Sequence, residues 1–428
     1  MTPTTINRVH ARRIWDSRGR PTVEAEVRLA GGAVGRGIAP AGASRGSREA
    51  IDLRDGGSRC GGYDVAGAVA NVRGPIARAI FGMDALDQAD IDQKLIELDG
   101  TPNMAKLGGN ATVAVSLAVA HAAAAAHDLP LWQHLANDNP VSLPLPEVQI
   151  FGGGAHAGRR IDIQDLMVMP VGAWTYDDGL TMCAEIYRAA GELMRDAGKL
   201  VGVADEGGWW PAFASNEEAL EMTVRAIERA GCHPGSDAAI SLDIAASEFG
   251  RDGVYRLALD QRKLDRDGLS ELLLDWIERY PIVSIEDPFA EDDRVAWVAF
   301  TRAAGHRVQI IGDDYLTTNA ARVEDARVDG ACNAVLIKVN QAGTLTQAKA
   351  ALDAARDAGF GTIVSARSGE SEDTAIAHLA VGWNAGQLKV GSFARSERMA
   401  KWNELLRIEE ALGADARFAG VAALPFKR

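Results

Sequence analysis

Cysteine is scarce: Cys60, Cys183, Cys232 and Cys332 are scattered over 428 residues with no C-x-x-C pair. Such spacing supports neither a disulfide framework nor a thiolate zinc site, so reduced structural thiols are expected. Basic residues are in deficit, 45 Lys and Arg against 59 Asp and Glu, for a net charge of −14. No local basic run offsets this, and a nucleic-acid partner is not expected. The first residues lack an apolar leader, and long apolar runs are missing throughout. The nearest to one, residues 111–126, is mostly alanine interrupted by Ser116 and His121, too short and too weakly apolar to cross a bilayer. It reads as a tightly packed core helix, and the expectation is a cytoplasmic protein with no membrane partner.

Hydrophobic residues make up 47% and charged residues 24%, the balance of an ordinary globular chain. At about 150 residues per domain the length allows two or three domains, or one large barrel with an attachment. In residues 22–29, Val23, Ala25 and Val27 alternate with Glu24, Glu26 and Arg28, the period of a half-buried strand. Gly31 and Gly32 turn the chain into a second strand-like run, 33–39, and then into PAGASRG at 40–46, a loop whose composition lets it move. Val65, Val69, Val72, Ile76 and Ile80 recur at three- and four-residue spacings and predict an amphipathic helix over 64–81 despite Gly74-Pro75. Strands followed by helices indicate an α+β unit. Pro140, Pro144 and Pro146 then interrupt the helical stretch, which places the domain division between 1–136 and 137–428.

Beyond Pro146 short apolar runs alternate with helix-like stretches. They are AAISL before Asp243, IVSI before Glu286, VQIIG before Asp313, AVLI before Lys338, TIVS before Ala366 and QL before Lys389. The intervals are 43, 27, 25, 28 and 23 residues, close to one βα unit each, with the first lengthened by an insertion. Leu345, Ala348, Leu352 and Ala355 line one helix face that ends at Gly359, a C′ residue. Successive parallel strands whose ends carry reactive side chains describe a (β/α) barrel with its site at the C-terminal face; an open doubly wound sheet is the alternative.

Asp243, Glu286 and Asp313 end three consecutive strand candidates, and clustered carboxylate oxygens of this kind suit Mg²⁺. Lys338 and Lys389 would face the metal across the barrel mouth, where neighbouring cations depress a lysine pKa and allow it to act as a base. GGGAHAG at 152–158 supplies backbone N–H groups with His156, Arg159 and Arg160 nearby, a set able to cradle an anion. Its spacing is not G-x-G-x-x-G, so it is no dinucleotide fingerprint. Arg367-Ser368, just after TIVS, adds donors suited to a phosphate or carboxylate.

Taken together, these motifs resemble the enolase family along nearly the whole chain. The resemblance runs from WDSRGRPTVE (15–24) and PAGASRG through HAG, DEGG, SLDIAASEF (241–249), SIEDPF (284–289), GDD (312–314), LIKVNQAGTL (336–345) and RSGESEDT (367–374) to ARSER (394–398). It implies an N-terminal α+β cap on a modified (β/α)₈ barrel, two Mg²⁺ ions, a homodimer or dimer-based assembly, and interconversion of 2-phosphoglycerate and phosphoenolpyruvate. By the same resemblance Asp243, Glu286 and Asp313 would hold the first Mg²⁺ and Ser44 would help hold the second. Lys338 would abstract the α-proton, and Glu206 with Asp165 would complete the catalytic set, Glu206 assisting departure of the hydroxyl. Lys389 would neutralise the substrate carboxylate, while His156, Arg367 and Ser368 would surround the phosphate. A dianionic enediolate needs concentrated positive charge, and this superfamily is known for answering that need with a base and Mg²⁺.

The chain departs from the family pattern at several positions. Ala366 stands where S-H-R-S-G-E has histidine, and Asp165 replaces the glutamate of Q-E-F. Ala41 and Arg45 alter the S-G-A-S-T-G loop, Arg48 stands where histidine is usual, and Trp209-Trp210-Pro211-Ala212 replaces F-A-P-N, bringing an extra indole toward the expected acid. These changes group on the leaving-group and phosphate side. They leave open a paralogue that performs enolate chemistry on another phospho- or phosphono-carboxylate, or a non-catalytic binding protein on the same body.

Overall fold

The computed structural model describes residues 2 to 426. β1 (Ile6–Trp15), β2 (Pro21–Leu29) and β3 (Val34–Ile38) form an antiparallel sheet in that order. β2 and β3 fall on the two strand-like runs read above, although Glu24 in β2 is buried along with its apolar neighbours. β1 shows no such period, because only Ile6 and Ala11 of its ten residues are buried and Arg8, Arg12 and Arg13 occupy much of the rest. Across the sheet lies the alanine-rich helix Gly109–Ala126. The full helix is two residues longer than the run 111–126 and, against the expectation from that run, is long and apolar enough by length and composition for a membrane span, but 83% of it is buried inside the molecule. The reason for its small residues is the closeness of β3. A Cβ at Gly35 would fall 2.1 Å from the Ala118 carbonyl, and one at Gly37 would fall 2.6 Å from the Ala114 carbonyl. Backbone therefore packs on backbone, which only glycine facing alanine permits.

The region 64–81 is helical in three pieces, Ala66–Asn71, a wider turn Val72–Ile76, and Ala77–Ile80. Pro75 has no N–H for a regular α-turn, and the widened turn around it absorbs that loss without ending the helix.

The second part of the chain closes an eight-stranded barrel. Its strands are β4 (Leu145–Gly152), β5 (Asp165–Met169), β6 (Ala239–Asp243), β10 (Ile282–Glu286), β11 (Gln309–Gly312), β12 (Ala334–Ile337), β13 (Gly361–Ser365) and β14 (Gly386–Gly391), with β14 pairing back to β4. The insertion between Asp243 and Glu286 is a small antiparallel sheet of β7 (Gly250–Arg251), β8 (Val254–Leu257) and β9 (Arg262–Asp265). The all-parallel expectation requires one correction: β5 runs antiparallel to both β4 and β6. The other seven strands share one direction, so their C-terminal ends open on one face. Helix Leu345–Asp357 follows β12 with Thr344 capping its start, and Gly359 occupies the expected position just past the end at φ +72°. Its buried face, Leu345, Ala348, Leu352 and Ala355, belongs to an apolar core continuous from cap to barrel.

Candidate active site

The strand ends place the side chains singled out above around one mouth. Asp243 and Glu286 are the last residues of β6 and β10, Asp313 follows β11, Lys338 follows β12, Ala366 to Ser368 follow β13, and Lys389 lies within β14. Asp165 reaches the same mouth by the opposite route: since β5 is reversed, its first residue is at this face. His156 is carried by a short turn after β4, Gly154–Ala157, and Glu206 by the loop between two long helices, Tyr176–Asp196 and Asn216–Arg229. A narrow cavity with only about 20 Å³ of free space is lined by Ser44, His156, Gln164, Asp165, Glu206, Asp243, Lys338, Ala366, Arg367, Ser368 and Lys389.

The charges alternate in a closed lattice. The Lys389 ammonium donates to Asp243 at 2.9 Å and Glu286 at 2.7 Å, with Asp165 at 3.5 Å. Lys338 pairs with Asp313, which also accepts from Gln341 at 2.8 Å. His156 Nδ1 meets Asp165 Oδ1 at 3.0 Å, and its Nε2 is 3.7 Å from Glu206. Asp287 sits behind Asp313; its two oxygens accept the backbone N–H groups of Asp313 and Asp314 at 2.9 and 2.8 Å and so orient that loop.

These contacts set the titration of the site. Burial opposes charge on His156, but the Glu206 and Asp165 carboxylates outweigh it and push the imidazole up to about 9. Asp165 is held low: burial would raise it, and His156 and Lys389 prevail. Glu286 is pushed well up by burial and by Asp243 beside it. Without a metal ion both lysines are raised rather than lowered. Burial favours the neutral amine, yet Asp313 raises Lys338, and Asp243 with Glu286 raises Lys389. The carboxylates outweigh the neighbouring cations, Arg367 and Lys389, that would lower Lys338.

The loop 40–46 rests on the mouth. Ala41 and Gly369 exchange backbone bonds of 2.9 and 2.8 Å, the Ala43 N–H donates to Ser368 Oγ at 2.6 Å, and Arg367 donates to the Ser44 carbonyl at 2.9 Å. Arg367 is braced by Glu49 at 2.9 Å, a residue the motif reading passed over although it lies only three positions past the loop. Arg398, in the ARSER motif, is fully buried and donates to the carbonyls of Arg367, Ser368 and Val390, fixing the chain around the arginine. Gln149 and Gln164 were also passed over; the first holds Asp165 and the second donates to Asp243 at 3.0 Å.

Some expected neighbours lie elsewhere. Arg159 pairs with Glu248 at 2.7 Å on the surface, and neither it nor Arg160 lines the cavity. Arg45 and Arg48 are exposed outside the cavity. Trp209 turns away from Glu206: its indole stacks on Tyr187 at 4.7 Å and donates to the Tyr187 carbonyl at 2.8 Å, and Trp210 does not line the cavity either. The indole is therefore packing for the helix beneath the loop and not a wall of the mouth.

Whether a hard cation fits can be tested on the donor atoms. Glu286 Oε1 and Asp165 Oδ2 are buried without hydrogen-bond partners, a costly state for carboxylate oxygens and one that a cation relieves. Among the described residues, two groups bring three possible ligand atoms within 4.8 Å of one another: His156, Asp165 and Glu206, and Asp287, Asp313 and Asp314. The Asp243, Glu286 and Asp313 set is threaded instead by the two lysine ammonium groups. The excess of buried carboxylate oxygen fits a divalent metal.

Comparison with known proteins agrees with this architecture. Residues 6–135 match the family model described as the enolase N-terminal domain, and residues 140–425 match that of the enolase C-terminal TIM barrel domain. A relative named Enolase 1, from Desulfitobacterium hafniense (strain Y51), is 48% identical over 419 residues, covering 96% of this chain and 95% of that protein.

Proposed function

The chain belongs to the enolase family, and from that premise we propose that it is a carbon–oxygen lyase interconverting 2-phosphoglycerate and phosphoenolpyruvate through an enediolate. The observation that carries this reading is the convergence of Lys338 and Glu206, from separate elements, on one cavity that also presents Lys389 and Arg367. Lys338 takes the proton next to the substrate carboxylate. Its amine must first be neutral, which requires Asp313 to be engaged by something other than the ammonium. Lys389 offsets charge on the carboxylate. Glu206 serves the departing hydroxyl, with His156 and Asp165 fixing its surroundings. Arg367, Ser368 and His156 receive the phosphate; Arg367 is already oriented by Glu49 and Arg398.

Asp243, Glu286 and Asp313 are the residues that would hold one Mg²⁺, and Ser44 in the loop would help hold a second that arrives with substrate. Bound there, Mg²⁺ supplies Lewis-acid stabilisation of the negative charge that proton removal builds on the substrate carboxylate, worth several kcal/mol. The family reading further carries a domain division at 136/137, a homodimer or dimer-based assembly, and a cytoplasmic setting; sedimentation of the purified protein and cell fractionation test the last two.

The deciding experiment is turnover of 2-phosphoglycerate by the purified protein with Mg²⁺, followed by enol-phosphate ultraviolet absorbance. Metal-dependent appearance of the product is expected. Absence of turnover, with turnover of another phospho- or phosphono-carboxylate, would replace this reading.

A further inference from the structure

We infer that Gln149 is a positioning residue of this site, setting the reach of Asp165 toward His156 and, through Gly208, the seat of the loop that carries Glu206. The inference rests on the lyase reading above for its kinetic consequence, but its geometry stands independently. Gln149 lies in β4 and is fully buried. Its Nε2 donates to Asp165 Oδ1, the same oxygen that meets His156 Nδ1 at 3.0 Å. Its Oε1 accepts the Gly208 N–H at 2.8 Å, two residues from Glu206. The amide cannot be turned around, because its NH₂ would then face a backbone N–H and its oxygen a carboxylate. One planar group thus ties together two elements that deliver different catalytic side chains.

The space around this amide is built for it. A Cβ at Gly208 would fall 2.5 Å from Gln149 Oε1, and one at Gly152 would fall 3.2 Å from both ends of the amide. The span also matches the unusual residue at 165. Aspartate is one methylene shorter than the glutamate of the family pattern, and the glutamine on the neighbouring strand reaches out to meet it. Two methylenes in Gln149 and one in Asp165 make the bridge; one in asparagine and two in glutamate would make a bridge of the same length. A lone change at either position breaks that match, leaving a gap in one case and a collision in the other.

The test is a reciprocal exchange in the intact protein: Gln149→Asn, Asp165→Glu, and the two together. Misplacing catalytic groups by about 1 Å can cost about 10²-fold in rate. Each single variant is expected to lose at least about tenfold in kcat with KM within about threefold of the parent, and the double variant, which restores the bridge to residue 165 but draws the amide back from the Gly208 N–H, to recover part of that loss. A double variant no faster than the poorer single, or singles within about twofold of the parent, would overturn the inference. If Gln149→Asn does not fold, the double must still exceed Asp165→Glu. A second readout needs no turnover. The Nδ1 proton of His156, held between imidazole and carboxylate, should give a slowly exchanging downfield NMR resonance, to be assigned by its loss in His156→Gln. It should persist in the parent and the double and be lost or displaced in each single variant; an unchanged resonance in all four overturns the inference. A parent protein inactive on 2-phosphoglycerate would sink the lyase reading alone, and the resonance would still decide the role of Gln149.

Discussion

Substituting Gly35 by alanine should damage the cap more than any conservative surface change. The Cβ so created would stand 2.1 Å from the Ala118 carbonyl oxygen and 2.2 Å from the Ala122 nitrogen, both backbone atoms of helix Gly109–Ala126. Ordinary contacts of this kind begin at 3.4 Å, so the helix must withdraw by more than an ångström or the strand must bend. No side-chain rotation relieves the clash, because the colliding atoms are backbone. Forced overpacking of a close-packed core typically costs about 1 to 3 kcal/mol, and this case belongs at the upper end or beyond. Gly74→Ala provides a control without a clash against another element: beyond its chain neighbours a Cβ there would meet nothing within 4 Å, and the helix-propensity gain of alanine is opposed by the Pro75 ring that follows, so a change of no more than about 1 kcal/mol is expected. Chemical denaturation monitored by circular dichroism compares the two variants with the parent. Equal stability of Gly35→Ala and the parent would refute the argument that backbone-to-backbone packing holds this helix on the sheet.

Other outcomes follow from the site. Exhaustive chelation should abolish turnover, and Asp243→Ala, Glu286→Ala and Asp313→Ala should each do the same, since two carboxylates hold Mg²⁺ poorly against water; full activity after chelation would refute it. Lys338→Ala should stop exchange of the substrate α-proton with solvent deuterium, read by NMR, and undiminished exchange would move the base elsewhere. Without substrate, stability should fall as pH rises from about 6.5 to about 9. His156 is raised in the folded state, so its contribution is complete below the unfolded value and disappears through the folded one. The gap corresponds to about 3 kcal/mol, and denaturant titrations across that range should show the loss in the parent and not in His156→Gln.

The sequence was most legible where an apolar run ends in a charged residue. Five barrel strands were marked in this way and a sixth by the apolar run before Ala366, because a parallel barrel sends every strand's C-terminal residue to the catalytic face. β5 hid from that rule: being reversed, it presents Asp165 before its apolar run of Leu166 to Met169. β4 hid for another reason. All eight of its residues are buried, but Glu147 and Gln149 point polar groups into the barrel, and the run therefore lacks a hydrophobic signature. Trp209 was misplaced because the DEGGWW string does not say which way the chain turns; a bridge between Phe151 and Trp209 carries the indole outward to Tyr187. The partners of the two lysines were not legible, since spacing gives no account of which carboxylate each ammonium will touch.

The reversed β5 has a consequence of parity. Because β5 ends on the side of the barrel away from the mouth and β6 begins there, whatever joins them must leave and return on that side. The chain does so with two helices, Tyr176–Asp196 going up and Asn216–Arg229 coming back, so the bend between them falls on the catalytic side. Glu206 rides on that bend, against the end of β4, where Trp209 bonds to Ile150 at 2.8 Å. Had β5 run with its neighbours, one helix would have sufficed to reach β6 and no such bend would have arrived at the mouth. A single strand written backwards is thus what delivers a further acidic group to a face that the ordinary alternation supplies only once per strand. It also makes the opposite side, at 170–175 and 231–238, the place where added residues would lengthen the excursion without shifting the acid.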